Sequence, residues 1–192
     1  MALNIFSFSY DTPTGQRRDP STVHGYPMKE WRDRIFVTLS TGFGFGFSPV
    51  VPGTVGTLPA VAFFVLIAKT QPPGRSLLLI ALALAGSCII SVPLGYWAER
   101  YWQKTDPRRF VLDEIAGFLL TVLLFQGQSL LATTIGAFVA TRFFDVVKPP
   151  PVNQLQRLPG GWGILVDDLA ASLYAVVCLH VTAWVAPALF RP

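Results

Sequence analysis

Five carboxylates stand inside or against the most apolar stretches of this 192-residue chain: Asp113 and Glu114 in FVLDEIAGFLL, Asp145 in FVATRFFDVVK, and Asp167 and Asp168 in GILVDDLAASLYAVV. A charged side chain at the centre of a bilayer costs roughly 2.5–3.5 kcal/mol, less near an interface, so such residues persist where they face a cavity, a metal or a partner charge. Arg142, Asp145 and Lys148 are spaced three apart, which places a carboxylate and two phosphate-seeking cations on one helical face. That face ends at Pro149, Pro150 and Pro151, which cannot continue a helix. Oxygen ligands with cations nearby suit Mg²⁺-assisted phosphoryl chemistry: the ion takes a few carboxylates and waters and leaves positions for phosphate oxygens. On this reading Asp113, Glu114, Asp145 and Asp168 are the candidate metal ligands. Glu114 or Asp167 would orient the attacking water, and Arg142 and Lys148 would offset the phosphate charge. An aspartyl-phosphate is also open, because an Asp can act as nucleophile. The competing structural explanation makes Asp113 and Glu114, after DPRRF, and Asp167 and Asp168, after GGWG, helix N-terminal acids favoured by the macrodipole. Repetition of the membrane cost over five acids weighs against it.

The elements that must hold these residues are membrane segments. Hydrophobic residues make up 52% of the chain, charged residues 14%, and the mean hydropathy is +0.48, outside the range of ordinary soluble domains. The formal charge of +4 comes from Lys and Arg gathered between apolar runs, a pattern suited to anionic lipid headgroups; no basic stripe for nucleic acid exists. Cys88 and Cys178 sit in apolar runs and read as small buried hydrophobes. His24 and His180 have no ligand-spaced partner. No Cys begins a Cys-x5-Arg loop, which argues against a phosphocysteine route.

Residues 1–34 read as a flexible polar cytoplasmic tail, and 35–192 as a single all-α, polytopic membrane bundle. Apolar runs at about 55–68, 76–98, 111–147 with a break at QGQS, and 164–189 give about four to five segments, some shorter than the roughly 20 residues of a full span. The basic stretches KEWRDR and ERYWQKTDPRR belong on the cytoplasmic side by their Lys and Arg. This topology brings all five acids to the same, cytoplasmic, face. Tyr96, Trp97, Tyr101 and Trp102 form an interfacial aromatic cluster beside it.

The stretch TGFGFGFSPVVPGTVGTLPA has too much Gly, Pro and hydroxyl to be a plain span and reads as a re-entrant loop at that face. Ser48, Thr54 and Thr57 could add substrate-binding hydroxyls there. Gly42 and Gly46 fit either close approach to an anion or GxxxG helix packing.

Four blocks in this order, GFGFGFSPVVPGTVGTLPA, VLDEIAGF, RFFDVVKPPPV and GGWGILVDDLAA, resemble phosphatidylglycerophosphatase A. The resemblance covers about 40–175. It implies a Mg²⁺-dependent phosphatase of the bacterial inner membrane that converts phosphatidylglycerophosphate, an anionic phospholipid, to phosphatidylglycerol and phosphate. Its motif residues fall on Asp113, Glu114, Arg142, Asp145, Lys148, Asp167 and Asp168. The family's last block often has Gly after DD-x-x-A, where this chain has Ser172, which touches only helix packing. The alternative from another class is a small ion-coupled transporter, but its acids should lie at the midplane and its halves should repeat. A membrane scaffold whose acids only pair with Arg142, Lys148 and Arg109 is the third reading. A homo-oligomer packed through a GxxxG face would look the same in sequence.

Overall fold

The computed structural model describes residues 31–191. The expected tail lies outside them up to residue 30, His24 included, and the boundary drawn at residue 34 falls inside the first helix. The described chain runs through α1 (Trp31–Ser40), a 3₁₀ turn (Phe45–Phe47), α2 (Pro52–Gly56), α3 (Leu58–Thr70), α4 (Pro73–Trp102), α5 (Leu112–Leu124), α6 (Leu130–Val147), α7 (Val152–Leu155), α8 (Gly161–Val185) and a closing 3₁₀ turn (Pro187–Phe190). Regular structure among the described residues is all helical. Four stretches are long and apolar enough to cross a membrane: Pro52–Thr70, which joins α2 to α3, then α4, α6 and α8. The architecture is therefore a helical membrane bundle.

α5 has 13 residues, about 20 Å of helix, and falls short of a hydrocarbon layer about 30 Å thick. Its surroundings explain how so short a helix is stable. α8, α4, α6 and α3 all pack on it, and Ala116, Phe118, Leu119, Thr121 and Val122 are buried. Protein encloses most of its length, which is the condition under which a helix can stop at membrane depth. Around it Phe64, Phe118, Phe125, Leu179 and Phe190 form the main apolar core. Leu66, Leu82, Ile89, Leu131, Val139, Val181 and Trp184 point outward, the face such helices offer to lipid. The QGQS break is the hairpin between α5 and α6, where the Ser129 hydroxyl accepts from the Ala132 N–H at 3.4 Å.

The Gly/Pro stretch is broken backbone only up to Val51, as a turn and the 3₁₀ segment; from Pro52, where a re-entrant loop was expected, it is helical and begins the membrane-length stretch Pro52–Thr70. Gly42 and Gly46 allow close packing at the start of α5. A Cβ on Gly46 would run into the Arg109 carbonyl, and one on Gly42 would press on the Val111 side chain. Gly46 packs against the segment entering α5, and Gly42 against that segment together with Gly56 of α2 and Ile115 of α5. The Val111 N–H, bonded to the Ser40 carbonyl at 2.9 Å, closes the same junction. At the end of α4, Trp97 stacks on Tyr101 with centroids 4.5 Å apart and meets Phe36 edge-on at 5.3 Å.

Candidate active site

Three helices deliver the acids. Asp113 and Glu114 lie in the first turn of α5, Asp145 near the end of α6, and Asp167 and Asp168 in α8. Because α8 starts at Gly161, Asp167 lies about two turns inside it, beyond the reach of a first-turn dipole effect. The helix-terminal explanation thus fits Asp113 and Glu114 and fails for the α8 pair. α5 and α8 approach closely where a Cβ at Gly117 would meet the Ser172 hydroxyl and the Asp168 carbonyl. The small residue of this contact is on α5, which is why Ser172 is accommodated on α8. Its hydroxyl donates to the Asp168 carbonyl at 2.8 Å. The contact sets Asp113, one turn before Gly117, beside Asp168.

The cations on α6 tie the acids together. Arg142 pairs with Glu114 at 3.0 Å and with Asp145 at 3.3 Å, so it links α5 to α6. Lys148 donates to Asp167 Oδ2 at 2.6 Å and reaches Asp145 at 4.0 Å, linking α6 to α8. Lys148 caps α6 in the left-handed region, φ 43, a conformation that the proline run after it helps to fix by ending the helix. Partial burial would lower the Lys148 pKa, but the hydrogen bond it donates to Asp167 and the charges of Asp167, Asp168 and Asp145 raise it above the usual lysine value. The ammonium is therefore charged at neutral pH.

The acids are not fully satisfied by these pairs. Asp113 Oδ1, Glu114 Oε2, Asp167 Oδ1 and Asp168 Oδ2 are buried with no hydrogen-bond partner, and no ion pair is formed by Asp113 or Asp168 among the described residues. All five acids, Arg142 and Lys148 line one cavity of about 410 Å³, walled on the other side by the Pro49–Thr54 segment. Gly53 stands so close that a Cβ there would overlap the Glu114 carboxylate. Thr54 lines the cavity. Ser48 and Thr57 do not: their hydroxyls donate to the carbonyls of Val50 at 2.8 Å and Gly53 at 2.9 Å. Asp106 and Arg108 line the cavity too. Sequence reasoning used their loop only to orient the chain; an acid and a base in one loop just before the DE pair were the available signal.

The donor set fits a hard divalent cation in kind, being carboxylate oxygens left without partners. In spacing, no group of three or more acidic, His or Cys side chains among the described residues is close enough as it stands to hold one ion. Mg²⁺ does not require that, since one or two carboxylates with waters and substrate phosphate commonly suffice.

The chain matches the sequence profile of phosphatidylglycerophosphatase A over residues 38–183. It belongs to that family. A phosphatidylglycerophosphatase A of Escherichia coli is 33% identical over 143 residues, covering 74% of this chain and 80% of the relative. One of Haemophilus influenzae is 29% identical over 72% of this chain and 83% of its own length. A Bacteroides thetaiotaomicron protein, provisionally named a phosphatidylinositol-3-phosphatase, is 35% identical over 158 residues, 78% of this chain and 94% of the relative. No solved structure matches. Membership of the phosphatidylglycerophosphatase A family makes the chain a membrane-embedded lipid phosphatase, and the transporter and scaffold readings give way.

Proposed function

We propose that the chain hydrolyses the terminal phosphomonoester of phosphatidylglycerophosphate with Mg²⁺, at the cytoplasmic face of a bacterial inner membrane. The observation that carries this reading is the set of buried, unpartnered oxygens on Asp113, Glu114, Asp167 and Asp168 sharing one cavity with Arg142 and Lys148. Asp113 and Asp168, which form no ion pair among the described residues, are best suited to hold Mg²⁺, with Glu114 Oε2 and Asp145 completing the set. The bound ion would neutralise and polarise the phosphoryl oxygens.

The remaining steps belong to side chains. Arg142 and Lys148 face the incoming phosphate as positive charge, offsetting what develops in the transition state. Asp167, with Oδ2 held by Lys148 at 2.6 Å and Oδ1 unpartnered, can accept a proton from a water attacking phosphorus. The bond from phosphorus to the glycerol oxygen breaks, and that oxygen leaves as the hydroxyl of phosphatidylglycerol after taking up a proton. Pro49–Thr54 closes the side opposite the acids.

The test is phosphate release from phosphatidylglycerophosphate by detergent-purified protein, with Mg²⁺ or with EDTA. Release that needs the metal and is lost in Asp145→Asn and Asp168→Asn is expected; metal-independent release would sink the proposal. The Bacteroides relative's printed name makes phosphatidylinositol 3-phosphate the second substrate to assay. Preference for it by more than about tenfold in kcat/KM, or about 1.4 kcal/mol of transition-state binding, would move the substrate assignment.

A further inference from the structure

A second cavity, about 540 Å³, opens between the α4–α5 loop and the segment leading to α8. Most of its wall lies outside the membrane-length stretches, so it is on the water side of the acidic cavity. It carries three cations, Lys104, Arg108 and Arg157. None of them forms an ion pair among the described residues. The two acids in the wall are already turned to other work. Glu99 accepts the Asp106 N–H at 3.3 Å, and Asp106 accepts the Gln156 side-chain amide at 3.2 Å. These bonds fasten the loop to α4 on one side and to the 152–158 segment on the other. Neutral donors leave both carboxylate charges in place, so the pocket is a tethered structure in which three cations face two acids, a net charge of +1. Asp106 and Arg108 line both cavities, so the two are neighbours across a single wall.

We infer that this pocket is a second phosphate-binding site, with Lys104 and Arg157 as its own cations and Arg108 shared with the acidic cavity. Converging Lys and Arg side chains without acidic partners select phosphate by charge-assisted hydrogen bonds. The phosphate could arrive as inorganic phosphate from the water side or as the phosphodiester of an anionic lipid headgroup. If it is the inorganic ion released next door, the pocket is its way out to water; that assignment rests on the proposed reaction, whereas binding itself does not.

The experiment is calorimetric titration of inorganic phosphate into the full chain in phosphatidylcholine nanodiscs, without divalent cations, so that the acidic cavity repels the anion. The double variant Lys104→Ala/Arg157→Ala is expected to bind about tenfold or more weakly. A control of equal charge, Lys69→Ala/Arg75→Ala, in the last turn of α3 and the first turn of α4, should bind as the parent does. Unchanged binding in the first variant, or equal loss in the control, would overturn the site. Repeating the titration in phosphatidylglycerol discs separates the sources: phosphate binding suppressed there assigns a competing lipid phosphodiester, and equal binding assigns free phosphate. Because no turnover is read, a chain that bound phosphate here yet released none from lipid would defeat the proposed reaction and leave the pocket standing.

Discussion

The two ends of α5 treat polar atoms in opposite ways. Toward its C-terminal end, among Phe118, Val122, Phe125 and Phe190, the Thr121 hydroxyl donates to the Gly117 carbonyl at 3.1 Å. Thr134 on the neighbouring α6 does the same one turn back, at 2.7 Å. At the N-terminal end, four buried carboxylate oxygens have no partner. Ser91 and Thr133 also leave hydroxyl oxygens unpaired, but a neutral hydroxyl costs far less to bury than a carboxylate. The chain satisfies polar groups locally where it only needs to be stable. Where it leaves carboxylates unsatisfied, the missing partner is one that comes from outside, which is how strained and unpaired groups mark working sites.

The sharpest way to break that comparison is Asp168→Asn. The amide keeps the shape and removes a buried charge, so we expect hydrolysis to fall by about 10³-fold while thermal stability holds or rises, since an uncompensated buried charge is lost. Activity and melting temperature measured on the same preparation decide it. Parallel loss of both would mean that the acid is structural, and the contrast between the ends would fail.

Arg142→Leu acts on the ion-paired half of the acidic end and should lower stability as well as activity. It strips Glu114 and Asp145 of the guanidinium that holds both, in a place where the arginine side chain is only 14% exposed. Breaking a buried pair from one side costs about 3–5 kcal/mol. Denaturant unfolding in mixed micelles would read it, and adding Glu114→Gln should restore part of the loss. A variant that loses activity alone, with unfolding unchanged, would show that the α5–α6 tie contributes little to stability.

Gly53→Ala tests the wall opposite the acids. The added methyl would overlap the Glu114 carboxylate, so the acid or α2 must move by a fraction of an ångström to about one. Displacement on that scale costs about 10–10²-fold in rate. Steady-state kinetics should show it mainly in kcat, and a wild-type rate would mean that α2 yields freely.

Much of this was legible in the sequence, for reasons particular to each part. Length and hydropathy found α4, α6 and α8, because the bilayer sets a minimum length and an apolar composition. The three-residue spacing of Arg142, Asp145 and Lys148 correctly brought the three charges together, although Lys148 stands just past the helix as its left-handed cap. The common face of the five acids followed from where Lys and Arg sit. What sequence could not supply was contact between distant segments. Nothing local says that Gly42 makes room for Val111 and Gly46 for the Arg109 carbonyl, or that Gly117 makes room for Ser172. Nor does a hydroxyl in a loop say which way it points: Thr54 reaches the cavity, while Ser48 and Thr57 bond to their own backbone. Asp106 and Arg108 were hidden by a reading of their loop as topology alone.

The smallest expected effect sharpens the comparison from its quiet side. Thr121→Val removes a hydroxyl whose whole role, by the geometry, is to return to the Gly117 carbonyl within the same helix. That carbonyl sits in a buried environment, but a helical carbonyl already accepts its ladder bond, so losing the extra donor should cost about 0.6 kcal/mol and no more than about 1.7. The methyl that replaces the hydroxyl is buried against Phe118 and its neighbours and offsets part of even that. Hydrolysis should be unchanged, because Thr121 lies about two turns from Asp113 along α5. A kcat reduced tenfold by this substitution would mean that the two ends of the helix are coupled, and that the apolar half positions the acids as well as holding the bundle together.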